Sequence, residues 1–148
     1  MYYIDELLGN RVLWAAIVAW ALAQSLKVIR ELFRTKRLHL GIMLSTGGMP
    51  SSHTSFMVAM TTAVGLREGF GSTTFAIAAA VSMVVMSDAA GVRRAAGKQA
   101  KVINSLVENI ENTGIVLDKK LKELLGHTPI EVACGALLGI AVAWVMYG

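Results

Sequence analysis

The sequence predicts an all-α fold: an integral membrane helical bundle of about four short transmembrane helices, with amphipathic helices on its cytoplasmic or interfacial side. Three observations predict it. Of 148 residues, 55% are hydrophobic and only 16% charged, and the mean hydropathy is +0.57; soluble domains carry about a quarter charged residues. Four segments are nearly free of charge: Val12–Leu26, Thr54–Leu66, Thr73–Ser87 and Ile130–Tyr147, with Glu131 the exception. These segments are also rich in Ala, Gly, Ser and Met. Gly135-x-x-x-Gly139 and Ala59-x-x-x-Ala63 are small-residue pairs of the kind that let membrane helices approach closely. The alternative is a soluble all-α bundle with buried helices.

The first segment falls short of the roughly 20 residues a span needs, as do the second and third. Each must therefore borrow flanking polar residues. Ala21-Leu22-Ala23 resembles a signal-peptidase site, but the region before the apolar run carries Asp5 and Glu6 against one base, Arg11. It reads as an uncleaved first helix. A basic loop, Lys27–Pro50, leads to the second helix. A turn at Arg67–Ser72, containing Gly69 and Gly71, leads to the third.

A long polar segment, Asp88–His127, then precedes the fourth. Within it, Val102, Ile103, Leu106, Val107 and Ile110 form a helical stripe, and Leu117, Leu121, Leu124 and Leu125 a shorter one. Both stripes suit a membrane interface with lysines facing water, and equally suit packing on the cytoplasmic end of the bundle. Cys134, in the last span, has neither a disulfide partner nor a metal-binding spacing and reads as a small buried hydrophobe. Without repeats or linkers, residues 1–148 form one domain. Four short helices make a thin bundle, which a homo-oligomer would thicken.

Charge location sets the topology. Twelve of the fourteen basic residues fall in Lys27–Pro50 and Asp88–His127, on one side. The positive-inside rule makes that side cytoplasmic and puts both termini outside, in the plasma or inner membrane. The bilayer is thus the expected partner, and no nucleic acid is. Both histidine motifs described next fall on the cytoplasmic side.

The first motif is Gly47-Gly48-Met49-Pro50-Ser51-Ser52-His53. Gly48 lets backbone N–H groups approach a ligand. Pro50 suits a first helical turn. Ser51, Ser52 and the free amides of the helix start suit an anion, with His53 at its edge. The same run is also an ordinary loop and helix cap. The second motif is His127-Thr128-Pro129-Ile130-Glu131. Its spacing puts Glu131 on the same helical face as His127, able to orient the ring. A carboxylate at the start of a span needs a partner, which makes Glu131 a functional candidate; a purely structural His–Glu pair is the alternative.

Further basic residues offer an anion clamp: Arg93, Arg94 and Lys98, with Asp88 capping a helix or holding one arginine. Read otherwise, these are loop charges touching lipid head groups. Lys27 and Arg34, seven residues apart, serve either phosphate binding or topology. His39 lies in a basic loop with no partner nearby in sequence.

Taken together, these residues resemble the type-2 phosphatidic acid phosphatase superfamily, which includes vanadium-dependent haloperoxidases. Its first motif, Lys-x₆-Arg-Pro, is similar to Lys27-x₆-Arg34-Thr35, without the proline. Its second, Pro-Ser-Gly-His, is similar to Pro50-Ser51-Ser52-His53. The latter half of its third, Ser-Arg-x₅-His-x₃-Asp, is similar to His127–Glu131, with Glu for Asp. The Ser-Arg pair is missing: Leu121 stands where the arginine should fall, with Arg93 or Arg94 as its substitute and Lys98 or Lys120 in support. Gly-Gly-Met-Pro-Ser-Ser-His together with Gly-Val-Arg-Arg-x-x-Gly-x-Gln-Ala resembles the small divergent bacterial and plant branch.

The resemblance implies a helical bundle with its site at the helix ends and no metal or other cofactor. It implies that His127 attacks phosphorus, Glu131 orients it, and His53 protonates the leaving alkoxide. Lys27, Arg34, Gly48, Ser51, Ser52, Arg93, Arg94 and Lys98 would hold the phosphoryl oxygens, and vanadate would mimic the transition state. The expected function is hydrolysis of a lipid phosphate monoester or diphosphate. Three alternatives remain: a lipid-phosphate binding or transport protein without catalysis, a structural membrane protein whose motifs are helix caps, and a metal site of His53, His127, Glu131 and Asp88.

Overall fold

The computed structural model describes residues 2–37, 48–111 and 126–147. A short helix, α1 (Tyr2–Leu8), precedes α2 (Arg11–Thr35). The side chain of Asn10 starts α2 by accepting the Leu13 amide at 3.1 Å. With 25 residues, α2 runs well past Leu26, so the polar residues it borrows lie mostly at its C-terminal end. Lys36 ends it in the left-handed conformation, its amide donating to Leu32 O.

Helix α3 (Ser52–Glu68) is the centre of the bundle, packed against α2, α4 and α6. Gly69 closes it at a φ of +90°, which only glycine adopts readily. Ser72 then caps α4 (Thr73–Ser87) by accepting the Phe75 amide.

After Ser87 the structure corrects the sequence reading. The first part of the polar segment, read as a basic loop, is helical: a π turn (Asp88–Val92) runs directly into α5 (Arg93–Glu111), which also contains the expected stripe. The helical run is unbroken from Thr73 to Glu111, and its part Thr73–Glu108 alone has 36 residues. At 1.5 Å per residue it is about 54 Å long, well beyond a hydrocarbon core of about 30 Å. The cause lies in the residues: Ala89, Ala90, Ala95, Ala96 and Ala100 are strong helix formers, and no proline interrupts them. Val102, Ile103 and Leu106 are exposed along α5. The second leucine stripe lies outside the described residues, as does His39. Helix α6 (Pro129–Tyr147) completes the bundle.

Three helical runs, α2, α4 with its extension, and α6, are long and apolar enough to cross a membrane. With 17 residues, α3 sits at the lower limit for a span and is enclosed by the others. The core is made of small residues. Ala15, Ala63 and Ala143 meet in one cluster, and Ala19, Ala59 and Val142 in the next. A Cβ on Gly135 would lie 2.5 Å from Ser51 O, and one on Gly139 2.6 Å from Ser55 O. The Gly-x-x-x-Gly pair is thus used inside the chain, seating α6 on α3. Across the other face of α3, Thr61 Oγ1 and Ser82 Oγ sit 2.7 Å apart, tying it to α4. Cys134 is half-buried.

Candidate active site

The α3 and α6 N-termini meet the C-terminal halves of α2 and α4 at one end of the bundle. Ser51 N donates to Glu131 O at 3.0 Å, joining the starts of α3 and α6. His127 N donates to Ala89 O at 3.0 Å, joining the start of α6 to the π turn. Lys27 Nζ donates to Ser52 Oγ at 3.3 Å, joining α2 to α3.

Each motif has a local structural explanation. Ser51 is the N-cap of α3: its Oγ accepts from Thr54 N at 3.4 Å and from the Thr54 hydroxyl at 3.0 Å. Pro50 therefore stands before the cap and not in the first turn, a correction to the sequence reading. Gly48 has a φ of +93°, which explains a glycine there. Thr128 and Glu131 form a capping box. Glu131 Oε2 accepts from Thr128 N at 2.8 Å, while Thr128 Oγ1 accepts from Glu131 N at 3.4 Å. Pro129 is the first residue of α6, where its missing N–H is harmless.

His53 and His127, far apart in sequence, line one cavity of about 280 Å³. Asp88, Ala89, Arg93, Val84 and Val85 complete its wall. Arg93 Nε donates to Asp88 Oδ2 at 2.6 Å. Among the described residues nothing binds its two terminal nitrogens. Lys27 is 3% exposed, behind the histidines, and its charge acts on both, as does that of Arg93.

His127 is almost fully buried, and among the described residues Nδ1 has no hydrogen-bond partner. Glu131 Oε2 lies 3.8 Å from it. Burial holds the His127 pKa below the ordinary imidazole value, and the Lys27 charge adds to this. Glu131 opposes the shift, while His53 and Arg93 contribute smaller downward pushes. Burial and the neighbouring cations thus favour the neutral ring of His127, which keeps a lone pair on one nitrogen.

Other sequence candidates stand apart. Arg34 is exposed and pairs with Glu31 at 3.1 Å. Arg94 and Lys98 are exposed on α5 and do not line the cavity. Ser51 and Ser52 are buried behind it. Lys120 and Leu121 lie outside the described residues. Among the described residues no three of His, Cys, Asp and Glu are grouped to hold a metal ion, so the four-residue metal site weighed above is not formed. Sequence reasoning missed Val84, Val85 and Ala89, which carry no chemical signal.

The class is a membrane protein related to phosphatidic acid phosphatases, as the family match shows. The chain matches the Divergent PAP2 family over residues 8–142 and belongs to that family. It is also similar to the Bacillus subtilis (strain 168) protein called "Uncharacterized membrane protein YuiD". The two are 42% identical over 154 residues, covering 95% of this chain and 96% of that protein. No solved structure matches the chain.

Proposed function

We propose that the chain is a metal-independent phosphatase of a lipid phosphate monoester or diphosphate, acting through a phosphohistidine. The observation that carries this reading is the convergence of His53, His127 and Arg93 on one cavity. With Nδ1 turned toward Glu131, the Nε2 lone pair of neutral His127 attacks phosphorus. The P–O bond to the leaving group breaks, and His53 gives that oxygen a proton. Water then attacks the phosphohistidine, losing its proton to His53. The P–N bond breaks, and phosphate and neutral His127 are restored.

Lys27, Arg93 and the amides at the start of α3 neutralise the phosphoryl oxygens. Arg93, which lines the cavity, substitutes for the missing motif arginine in preference to Arg94. Glu131 orients the imidazole by closing its 3.8 Å gap to a hydrogen bond of about 2.9 Å. Val84, exposed on α4, makes one wall of the cavity apolar and suits an acyl or prenyl chain beside the phosphate. The basic segments Lys27–Pro50 and Asp88–His127 support a site on the cytoplasmic side, with both termini outside.

The test is phosphate release from lipid phosphates in detergent or vesicles. His127→Ala abolishes it while the protein stays folded; unchanged turnover would end the mechanism. A second reading, a lipid-phosphate binding or transport protein without catalysis, is favoured by one observation. Glu131 is engaged by the Thr128 amide and makes no hydrogen bond to His127. That reading predicts lipid phosphate binding with no phosphate release by the unmodified protein.

A further inference from the structure

Gly126 precedes the buried histidine, and the neighbouring backbone leaves no room for anything larger. A Cβ there would lie 2.5 Å from Arg94 Cα and 2.6 Å from Arg93 C, and nearer still to Arg94 N. Real Cβ atoms do not approach so closely, and a helix backbone cannot swing aside as a flexible side chain can. At the next residue, the His127 amide donates to Ala89 O at 3.0 Å. Two successive residues are thus pressed against one stretch of helix, Ala89–Arg94.

That stretch begins one residue after Asp88, with which its Arg93 makes the ion pair of the cavity. It is wound as a π turn, with the Arg93 amide donating to Asp88 O five residues back. Such turns are rare and concentrate at functional sites. The same backbone that presents Arg93 therefore holds the chain at His127.

The geometry points to Gly126 as a positioning residue: its missing side chain lets the chain touch the start of α5, directly after the π turn, and so sets the separation between His127 and Arg93. This rests on the phosphatase reading. Nucleophile and anion clamp come from distant parts of the sequence, and phosphoryl transfer requires them in register. A displacement of about 1 Å is enough to slow such a reaction on the order of 10²-fold.

The test is Gly126→Ala in the full-length protein in detergent. With a short-chain phosphatidic acid, kcat falls on the order of 10²-fold while KM stays within about threefold, because Lys27 and His53 are untouched. A second readout does not depend on turnover: carbethoxylation of His127 by diethyl pyrocarbonate, mapped by mass spectrometry. It is slow in the unmodified protein, where His127 is 3% exposed, and several-fold faster in Gly126→Ala. Gly71→Ala is the control, since its Cβ meets open space, and it changes neither value. If Gly126→Ala fails to fold, hydrogen exchange in the unmodified protein still decides, because a bond to Ala89 O protects the His127 amide.

Unchanged kcat and labelling in Gly126→Ala, or an unprotected His127 amide, overturns the inference. Normal turnover by His127→Ala overturns the phosphatase reading and the catalytic purpose of the contact. The labelling result alone decides whether the contact seats the histidine.

Discussion

Removing one arginine at a time separates two neighbours that the sequence leaves equivalent. Arg93 lines the cavity and is fixed at Nε by Asp88, 2.6 Å away. Its terminal nitrogens can then meet two phosphoryl oxygens in the bidentate geometry that suits guanidinium. Arg94 is exposed and lines no part of the cavity. Removing one preorganised donor to developing negative charge costs about 10²–10³ in rate. Because the Arg93 side chain is 50% exposed, water screens it and the lower end applies, about 10²-fold in kcat/KM. Arg94→Ala should change kcat/KM by less than about threefold, as an exposed charge acting at a distance. Arg93→Lys keeps the charge but loses the fork, and should recover only part of the activity. The assay is initial-rate phosphate release from one short-chain phosphatidic acid across both variants. Equal losses in Arg93→Ala and Arg94→Ala, or a larger loss in Arg94→Ala, would refute the placement of the clamp.

Gly139→Leu should destabilise the bundle by about 1–3 kcal/mol or more, since its Cβ would already sit 2.6 Å from Ser55 O and 2.8 Å from Ala59 N; thermal unfolding in detergent measures this. The lowered His127 pKa places the acid limb of the kcat/KM profile below pH 6.5, because the neutral ring is the nucleophile. Lys27→Met removes a charge that lowers that pKa and should move the limb toward alkaline pH. The unfolded chain takes up its proton near pH 6.5 and the folded chain only below that. Stability from this group is therefore complete above about pH 6.5 and is lost as pH falls through the window beneath it. Glu131→Gln keeps a capping-box residue but removes the carboxylate beside His127. It should leave the melting temperature nearly unchanged and lower kcat on the order of 10²-fold; a full-rate variant would show that Glu131 only starts the helix.

The sequence made the bundle legible through periodic facts that survive without tertiary context. Runs free of charge marked α2, α3, α4 and α6, and glycines marked the turn between α3 and α4. Both histidine motifs could be found because serine, threonine and proline at a helix start leave a local pattern. Continuity of α4 with α5 was not legible, because basic residues after an apolar run suggest a loop although most are good helix formers. The site's outline was harder still. Lys27 and Arg34 share a spacing of seven, yet only Lys27 turns into the bundle, and nothing local says so. Arg93 and Arg94 are adjacent, and only packing separates them. Ala89 acts through a carbonyl that every residue possesses. Gly126 could have been noticed as the one residue without a side chain beside the buried histidine.

The charges at this end of the bundle suggest why the site suits an anion. Lys27 is buried with a single hydrogen bond, to Ser52 at 3.3 Å, among the described residues. An ammonium has three donors, and burying one unsatisfied is costly. Glu131 acts on it electrostatically, but that carboxylate is held by the Thr128 amide. Among the described residues Arg93 is balanced by Asp88 at Nε. The starts of α3 and α6 add two positive dipole ends to the same region. Two cations and two helix starts thus face two carboxylates, each of which already has a partner. A phosphate seated between the histidines would meet Arg93, which lines the cavity, while Lys27, which does not line it, would act on that phosphate by its charge. On that reading, the missing Ser-Arg of the third motif is a matter of where the cation comes from. Under the proposed function the π turn supplies Arg93 to the cavity from another part of the sequence, and the chemistry requires the charge at a point in space, whichever segment supplies it.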